Sequence, residues 1–166
     1  MEWAWLDTIF SGAFLTLLGA AIAAGLSMSG SAKALGIIGE AANAVMVEQP
    51  EKFGITLLLQ AIGTTQGIYG LLVTFLILSK AGLLGGGGEV TLTAMHGVQF
   101  IAAGLPIGIV GWFSAIAQAR VAATSVYVVG KNASLLGKTF IYPAMVETFA
   151  VFSLLVSILM WNAINL

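Results

Sequence analysis

The chain has 166 residues, 59% of them hydrophobic and 8% charged, with a formal net charge of −1. Soluble domains carry roughly 25% charged residues, so this sequence cannot coat a water-facing surface and reads as a membrane protein. Zero cysteines exclude disulfides, thiol catalysis and thiolate metal sites, and no basic patch is present to hold nucleic acid.

Residues 1–7 include Glu2 and Asp7, whereas a cleavable signal begins with positive charge. The first apolar run is therefore expected to stay as a membrane helix. Apolar runs occupy 8–32, 53–78, 94–119 and 139–161, each long enough to cross the ~30 Å hydrocarbon core. Four spans place both termini on one side. Lys33, Lys52, Arg120, Lys131 and Lys138 flank the two loops opposite the termini, and only Lys80 lies on the terminal side. The positive-inside rule then makes those loops cytoplasmic and both termini external, with Trp3, Trp5 and Trp161 at the outer interface.

Pro50 and Gly54 mark the first cytoplasmic turn, and Gly130 and Gly137 bracket the second. Segments 37–47 and 121–129 are only mildly apolar, so the helices are expected to run past the bilayer before turning. The outer loop carries Gly85, Gly86, Gly87 and Gly88. No Lys-Ser/Thr follows, so the run reads as a linker and not as a phosphate cradle.

The halves resemble each other. Gly54-Ile55-Thr56 pairs with Gly137-Lys138-Thr139, and Leu72-Val73-Thr74 with Leu155-Val156-Ser157. In the odd-numbered spans Ala32-Lys33 pairs with Ala119-Arg120, and Ser27 with Ser114. The expected fold is an all-α membrane protein of two duplicated hairpins in one orientation, residues 1–80 and 81–166. The second hairpin carries Glu147 where the first carries Thr64. Small residues line the odd spans, at Gly12, Thr16, Gly19, Ala23, Ser27 and Gly30, and at Gly97, Gly104, Gly108, Gly111 and Ala115. Such stripes let backbones approach closely. They serve either one four-helix bundle or an inner ring of thin helices drawn from many copies, and their length favours the ring.

Glu147 is the single acid within the last apolar run. A charge at mid-membrane costs about 2.5–3.5 kcal/mol on insertion scales and marks an ion site, a proton relay or a charge pair. In the second span Ile62, Thr65, Gln66 and Tyr69 share one helical face by their i, i+3, i+4, i+7 spacing. Counting from turn centres at Pro50 and Ser134, at 1.5 Å per residue, places Thr65, Gln66, Gln118 and Glu147 within about 5 Å of one level. A carboxylate, two amide carbonyls and a hydroxyl suit a hard cation. Gly63 beside Ile62 allows a freed backbone carbonyl to join them, and the Tyr69 hydroxyl can donate to the carboxylate. Taken singly, Thr, Gln and Tyr are interhelical glue worth about 0.6 kcal/mol each; level with the buried acid, they read as ligands. One carboxylate is too little charge for Mg²⁺ or Ca²⁺, so Na⁺ is the simplest cargo. A proton site would need only the acid and one partner, and H⁺ is the alternative cargo. His96 reads as an interfacial side chain, and the scattered Met residues as packing.

These residues carry a resemblance. Gly30-Ser31-Ala32-Lys33, Gln49-Pro50-Glu51-Lys52-Phe53-Gly54, Gly63-Thr64-Thr65-Gln66-Gly67-Ile68-Tyr69-Gly70, Ser114-Ala115-Ile116-Ala117-Gln118 and Ala144-Met145-Val146-Glu147-Thr148 resemble the proteolipid rotor subunits, K or c, of V-type rotary ATPases, in particular the bacterial sodium-translocating type. The likeness covers nearly the whole chain. It implies a ring of copies in the cell membrane, a stator subunit with an essential arginine, and central-stalk subunits at the cytoplasmic loops. It implies that Glu147 carries the ion, that Thr65, Gln66 and Gln118 supply oxygens, that the Ile62 backbone carbonyl stands where the family uses a leucine's, and that Tyr69 bonds the carboxylate. Hydrolysis would belong to other subunits. Thr64 stands in place of a glycine and Gly63 in place of a proline. Two rivals come from other classes, a small proton-coupled multidrug exporter and a purely structural tetraspan.

Overall fold

The structure, a computed structural model, describes residues 8–85 and 91–166. Trp3, Trp5 and Gly86 to Gly88 lie outside the described residues. Five α-helices make up the described chain: α1 (Gly12–Glu48), α2 (Phe53–Ala61), α3 (Thr65–Lys80), α4 (Ala94–Lys131) and α5 (Leu136–Asn162). A 3₁₀ turn over Ile62–Thr64 joins α2 to α3 within one span. The described residues hold no strand, and four spans are long and apolar enough to cross a membrane.

Local chemistry sets the ends. Ser11 Oγ accepts from Phe14 N (3.2 Å) and caps α1. Gln49 precedes Pro50 and leaves the helical region at φ −138°, ψ 74°, because a residue before proline is pushed out of it. Pro50 then opens the short 3₁₀ turn Pro50–Lys52, where a missing N–H costs nothing. Thr93 and His96 cap α4 reciprocally. Thr93 Oγ1 accepts from His96 N, and His96 Nδ1 accepts from Thr93 N, both at 3.3 Å. His96 is thus a helix cap, a role that its position in the sequence did not suggest.

At 37 and 38 residues, α1 and α4 are each about 55 Å long at 1.5 Å per residue. They exceed the ~30 Å core, in keeping with the expected extensions before each turn. The two helices are parallel and nearly touching. A Cβ at Gly19 would stand 2.7 Å from Phe100 backbone atoms, one at Gly111 3.0 Å from Ser27 Cβ, and one at Gly130 3.0 Å from Val45 Cγ1. The small-residue stripes are therefore used inside the chain, bringing the two long helices together as one layer. Helices α2–α3 and α5 form a second layer against it. Two buried clusters fill the space between the layers. One surrounds Ile38, Leu59, Ile62, Ala119 and Val126, and the other Val73, Ile77, Phe100 and Ile107. Leu71, Phe75, Phe149, Phe152 and Leu159 project outward from the second layer and are exposed on the single chain.

Counting back from the 3₁₀ turns Pro50–Lys52 and Ala133–Leu135 along unbroken helices fixes the repeat. Thr64 still matches Glu147. In the long helices, however, Ser31 matches Ser114 and Leu35 matches Gln118. The pairing of Ala32-Lys33 with Ala119-Arg120 is displaced by about one turn and is a coincidence of small-residue sequence. Contacts agree with the corrected register: Gln60 Nε2 donates to Leu35 O (3.1 Å) in the first hairpin, and Gln118 Nε2 donates to Pro143 O (3.1 Å) in the second.

The prolines inside helices are compensated. Pro143 has no N–H for Thr139 O, and Ser125 Oγ donates to that oxygen instead (3.2 Å). Beside Pro106, Ile107 N donates to Ser157 Oγ (3.2 Å). At the loop end, Lys80 Nζ reaches Trp161 O (2.8 Å) and Asn162 O (3.2 Å) and lies over the Trp161 ring, while Trp161 Nε1 donates to Leu76 O (2.8 Å). A cation on the last carbonyls of α5 suits the negative end of its dipole. It also ties α3 to α5.

Candidate cation site around Glu147

The 3₁₀ turn over Ile62–Thr64 re-aims the start of α3. It leaves Ile62 O accepting from Thr65 N and, at 3.1 Å, from Thr65 Oγ1. It also frees Gly67 N, which donates to Ser31 Oγ (2.9 Å) on α1. That bond anchors the residue next to Gln66. Sequence reasoning missed Ser31 as a positioning residue. The available signal was a serine on the small face of α1 level with a glycine-interrupted helix.

The polar side chains form one connected chain across three helices. Thr65 Oγ1 lies 3.3 Å from Gln66 Oε1. Gln66 Nε2 donates to Gln118 Oε1 (2.7 Å), and Gln118 Nε2 donates to Glu147 Oε2 (3.3 Å). Tyr69 Oη donates to Glu147 Oε1 (2.8 Å). Gln66 and Gln118 are both fully buried. All six residues expected at the site, Ile62, Thr65, Gln66, Tyr69, Gln118 and Glu147, are brought together. Thr148 is not: its hydroxyl turns back to Met145 O (2.8 Å).

Each polar atom has a reason to stay. A buried amide left unpaired costs about 1–3 kcal/mol, so the two glutamines hold each other. Both carboxylate oxygens accept from neutral donors, Tyr69 Oη and Gln118 Nε2. The carboxyl is half-buried and opens on a shallow cavity lined by Ala144, Thr148, Val151 and Phe152. In this arrangement the Gln118 nitrogen, not its oxygen, faces Glu147. A half-turn of the amide exchanges the two. The oxygens along this chain are two from the carboxylate, two from amides, one from the Thr65 hydroxyl and one from the Ile62 carbonyl. Among the described residues no group of three His, Asp or Glu gathers to hold a metal. This donor set is hard, neutral but for one charge, and matched to a monovalent cation.

The same residues fall within regions shared with known proteins. Residues 18–77 and 101–160 each match the ATP synthase C-subunit family. The chain belongs to that family, in duplicated form. The two matched segments contain the whole site: Ile62, Thr65, Gln66 and Tyr69 fall in the first, and Gln118 and Glu147 in the second. The chain is 39% identical to the V-type sodium ATPase subunit K of Enterococcus hirae, over 94% of this chain and 96% of that protein. It is 36% identical to the A-type ATP synthase subunit K of Methanocaldococcus jannaschii, over 88% of this chain and 61% of that protein. A member of the C-subunit family is a membrane component of a rotary ATPase, which displaces the exporter and the structural tetraspan.

Proposed function

We propose that this chain is the rotor-ring subunit of a V-type ATPase that carries Na⁺ across the membrane on Glu147. The observation that carries the reading is the unbroken polar chain from the Ile62 carbonyl through Thr65, Gln66 and Gln118 to Glu147, closed on the far side by Tyr69. The 39% identity to a sodium ATPase subunit K supports the choice of ion.

The first hairpin, residues 1–80, offers the Ile62, Thr65 and Gln66 oxygens and the Tyr69 hydroxyl. The second, residues 81–166, offers Gln118 and the acid. Gln66 and Gln118 rotate their amides from holding each other to presenting oxygen. Tyr69 keeps one carboxylate oxygen fixed, so the acid does not swing into lipid. Na⁺ neutralises Glu147, and the loaded site turns past lipid without the penalty of a bare charge. The empty carboxylate is stabilised where the ring meets the arginine of the stator subunit. ATP is hydrolysed by separate soluble subunits, and stalk subunits contact the loops that join the spans at residues 49–52 and 132–135. Those loops face the cytoplasm of the bacterial cell and both termini face outward, by the distribution of Lys and Arg.

The test is carbodiimide labelling of Glu147 in the purified full-length protein across pH. Protection by Na⁺ but not by K⁺ is expected. Labelling governed by pH alone, indifferent to Na⁺, would replace the sodium assignment with H⁺.

A further inference from the structure

The break in the second span has no covalent cause. The three prolines of the chain stand at positions 50, 106 and 143, so none forces the 3₁₀ turn over Ile62–Thr64. Gly63 permits a break without requiring one. What keeps α2 and α3 apart is a bond from outside the span.

Thr64 is the N-cap residue of α3, yet its side chain does not cap the helix. Its backbone sits in the helical region at φ −87°, ψ −21°, and its hydroxyl donates back to Ala61 O (2.8 Å). A capping oxygen accepts from the N–H of the second or third helical residue. Gly67 is the third residue of α3, and its N–H goes to Ser31 Oγ (2.9 Å) on α1. The cap is thus supplied by a different helix. The approach is close, since a Cβ on Gly67 would stand 3.2 Å from Ser31 Oγ, and both residues are buried.

The repeat provides a control. In the corrected register Ser31 matches Ser114, and Gly67 matches Ala150. Ser114 Oγ turns to Gly111 O of its own helix (3.5 Å), and Ala150 lies in α5, which runs unbroken over Leu136–Asn162. A serine occupies both places, and it reaches across to a backbone N–H only in the half whose span is broken.

We propose, on the sodium reading above, that Ser31 is a positioning residue for the cation site: it caps α3, holds the break open and so keeps the Ile62 carbonyl among the site's oxygens. Without the hydroxyl, Gly67 N–H is drawn back towards Gly63 O, and α2 and α3 close towards one continuous helix. Three residues of 3₁₀ turn at about 120° each against about 100° in an α-helix, so closure re-aims one side of the break by roughly 60°. Tyr69 ties α3 to Glu147, and Leu76 O and Lys80 tie it to Trp161. The rotation therefore falls on Ile62 and the end of α2. A cation loses an oxygen by it. A proton does not, because it needs only the carboxyl and Tyr69, both beyond the break. Ser31 thus weights the site towards the metal ion from a helix that offers it no ligand.

Carbodiimide labelling of Glu147 in the purified full-length protein tests this through two midpoints: the Na⁺ concentration that half-protects, and the pH of half-labelling without Na⁺. Ser31→Ala should raise the Na⁺ midpoint roughly 2- to 30-fold, the span for loss of one helix cap, and leave the pH midpoint in place. Ser31→Cys keeps the volume and offers only a weak acceptor; it should shift the Na⁺ midpoint in the same direction, and it serves where Ser31→Ala does not assemble. A Na⁺ midpoint unmoved in the folded variants would overturn the proposal. So would both midpoints moving together, which would leave the hydroxyl a support of the fold alone. In either case protection of the wild-type chain by Na⁺ keeps the sodium reading intact. No protection of the wild-type chain would remove that reading and the role of Ser31 with it.

Discussion

Gln118→Ala separates coordination from mere burial. Gln118 is fully buried and accepts from Gln66 while donating to both Pro143 O and Glu147. Removing it takes one oxygen from the proposed cation set and one donor from the carboxylate. An interaction of that kind with a charged partner contributes about 1.5–3 kcal/mol. At 1.4 kcal/mol per tenfold, the Na⁺ concentration that half-protects Glu147 from carbodiimide should rise roughly 10- to 100-fold. Tyr69 still holds the other carboxylate oxygen at 2.8 Å, so labelling at low pH without Na⁺ should keep its wild-type extent. The orphaned Gln66 amide also costs about 1–3 kcal/mol of stability, so thermal unfolding should be recorded alongside. An unchanged Na⁺ midpoint in a folded variant would refute coordination by Gln118. Equal loss of Na⁺ protection and of Na⁺-free labelling would refute it too, pointing to a collapsed site.

Glu147→Gln should abolish Na⁺ transport in reconstituted vesicles while an assembly of wild-type mass still forms, because the amide keeps the shape and loses the charge. Ser31→Ala should lower thermal stability by about 1–3 kcal/mol, since it strands the buried Gly67 N–H; an unshifted melting curve would show that Gly67 finds another acceptor. Gly30→Val should destabilise by more than about 1–3 kcal/mol, as a Cβ there lies 2.6 Å from Trp112 Cα. Gly137→Ala meets nothing within 4 Å and should be neutral or stabilising by up to about 1 kcal/mol. Similar melting temperatures for the two variants would refute the packing argument.

Much of the molecule was legible along the chain. Hydropathy set four spans, because a segment facing lipid must be apolar over its whole length. The helical period placed Thr65, Gln66 and Tyr69 on one face, and counting from Pro50 and Ser134 put Gln118 and Glu147 at their level. Those are properties of one helix or of its end, so residue order determines them. The register between the two long helices was misread by a turn, because runs of Gly, Ala and Ser align with one another in several ways.

What tertiary structure decided was the rotation of each helix against its neighbours. That rotation brings Gln118 under Gln66 and turns Ser31 towards Gly67, and it sends Ser125 to the carbonyl that Pro143 leaves unpaired. No local pattern specifies it, since it comes from side chains packing across helices distant in sequence. Sequence alone determined that a lone acid sits amid apolar helices with oxygen donors at its depth. Only the fold determined which donor meets which acceptor, because hydrogen bonds depend on ångström distances between helices and the period of a helix speaks only for itself.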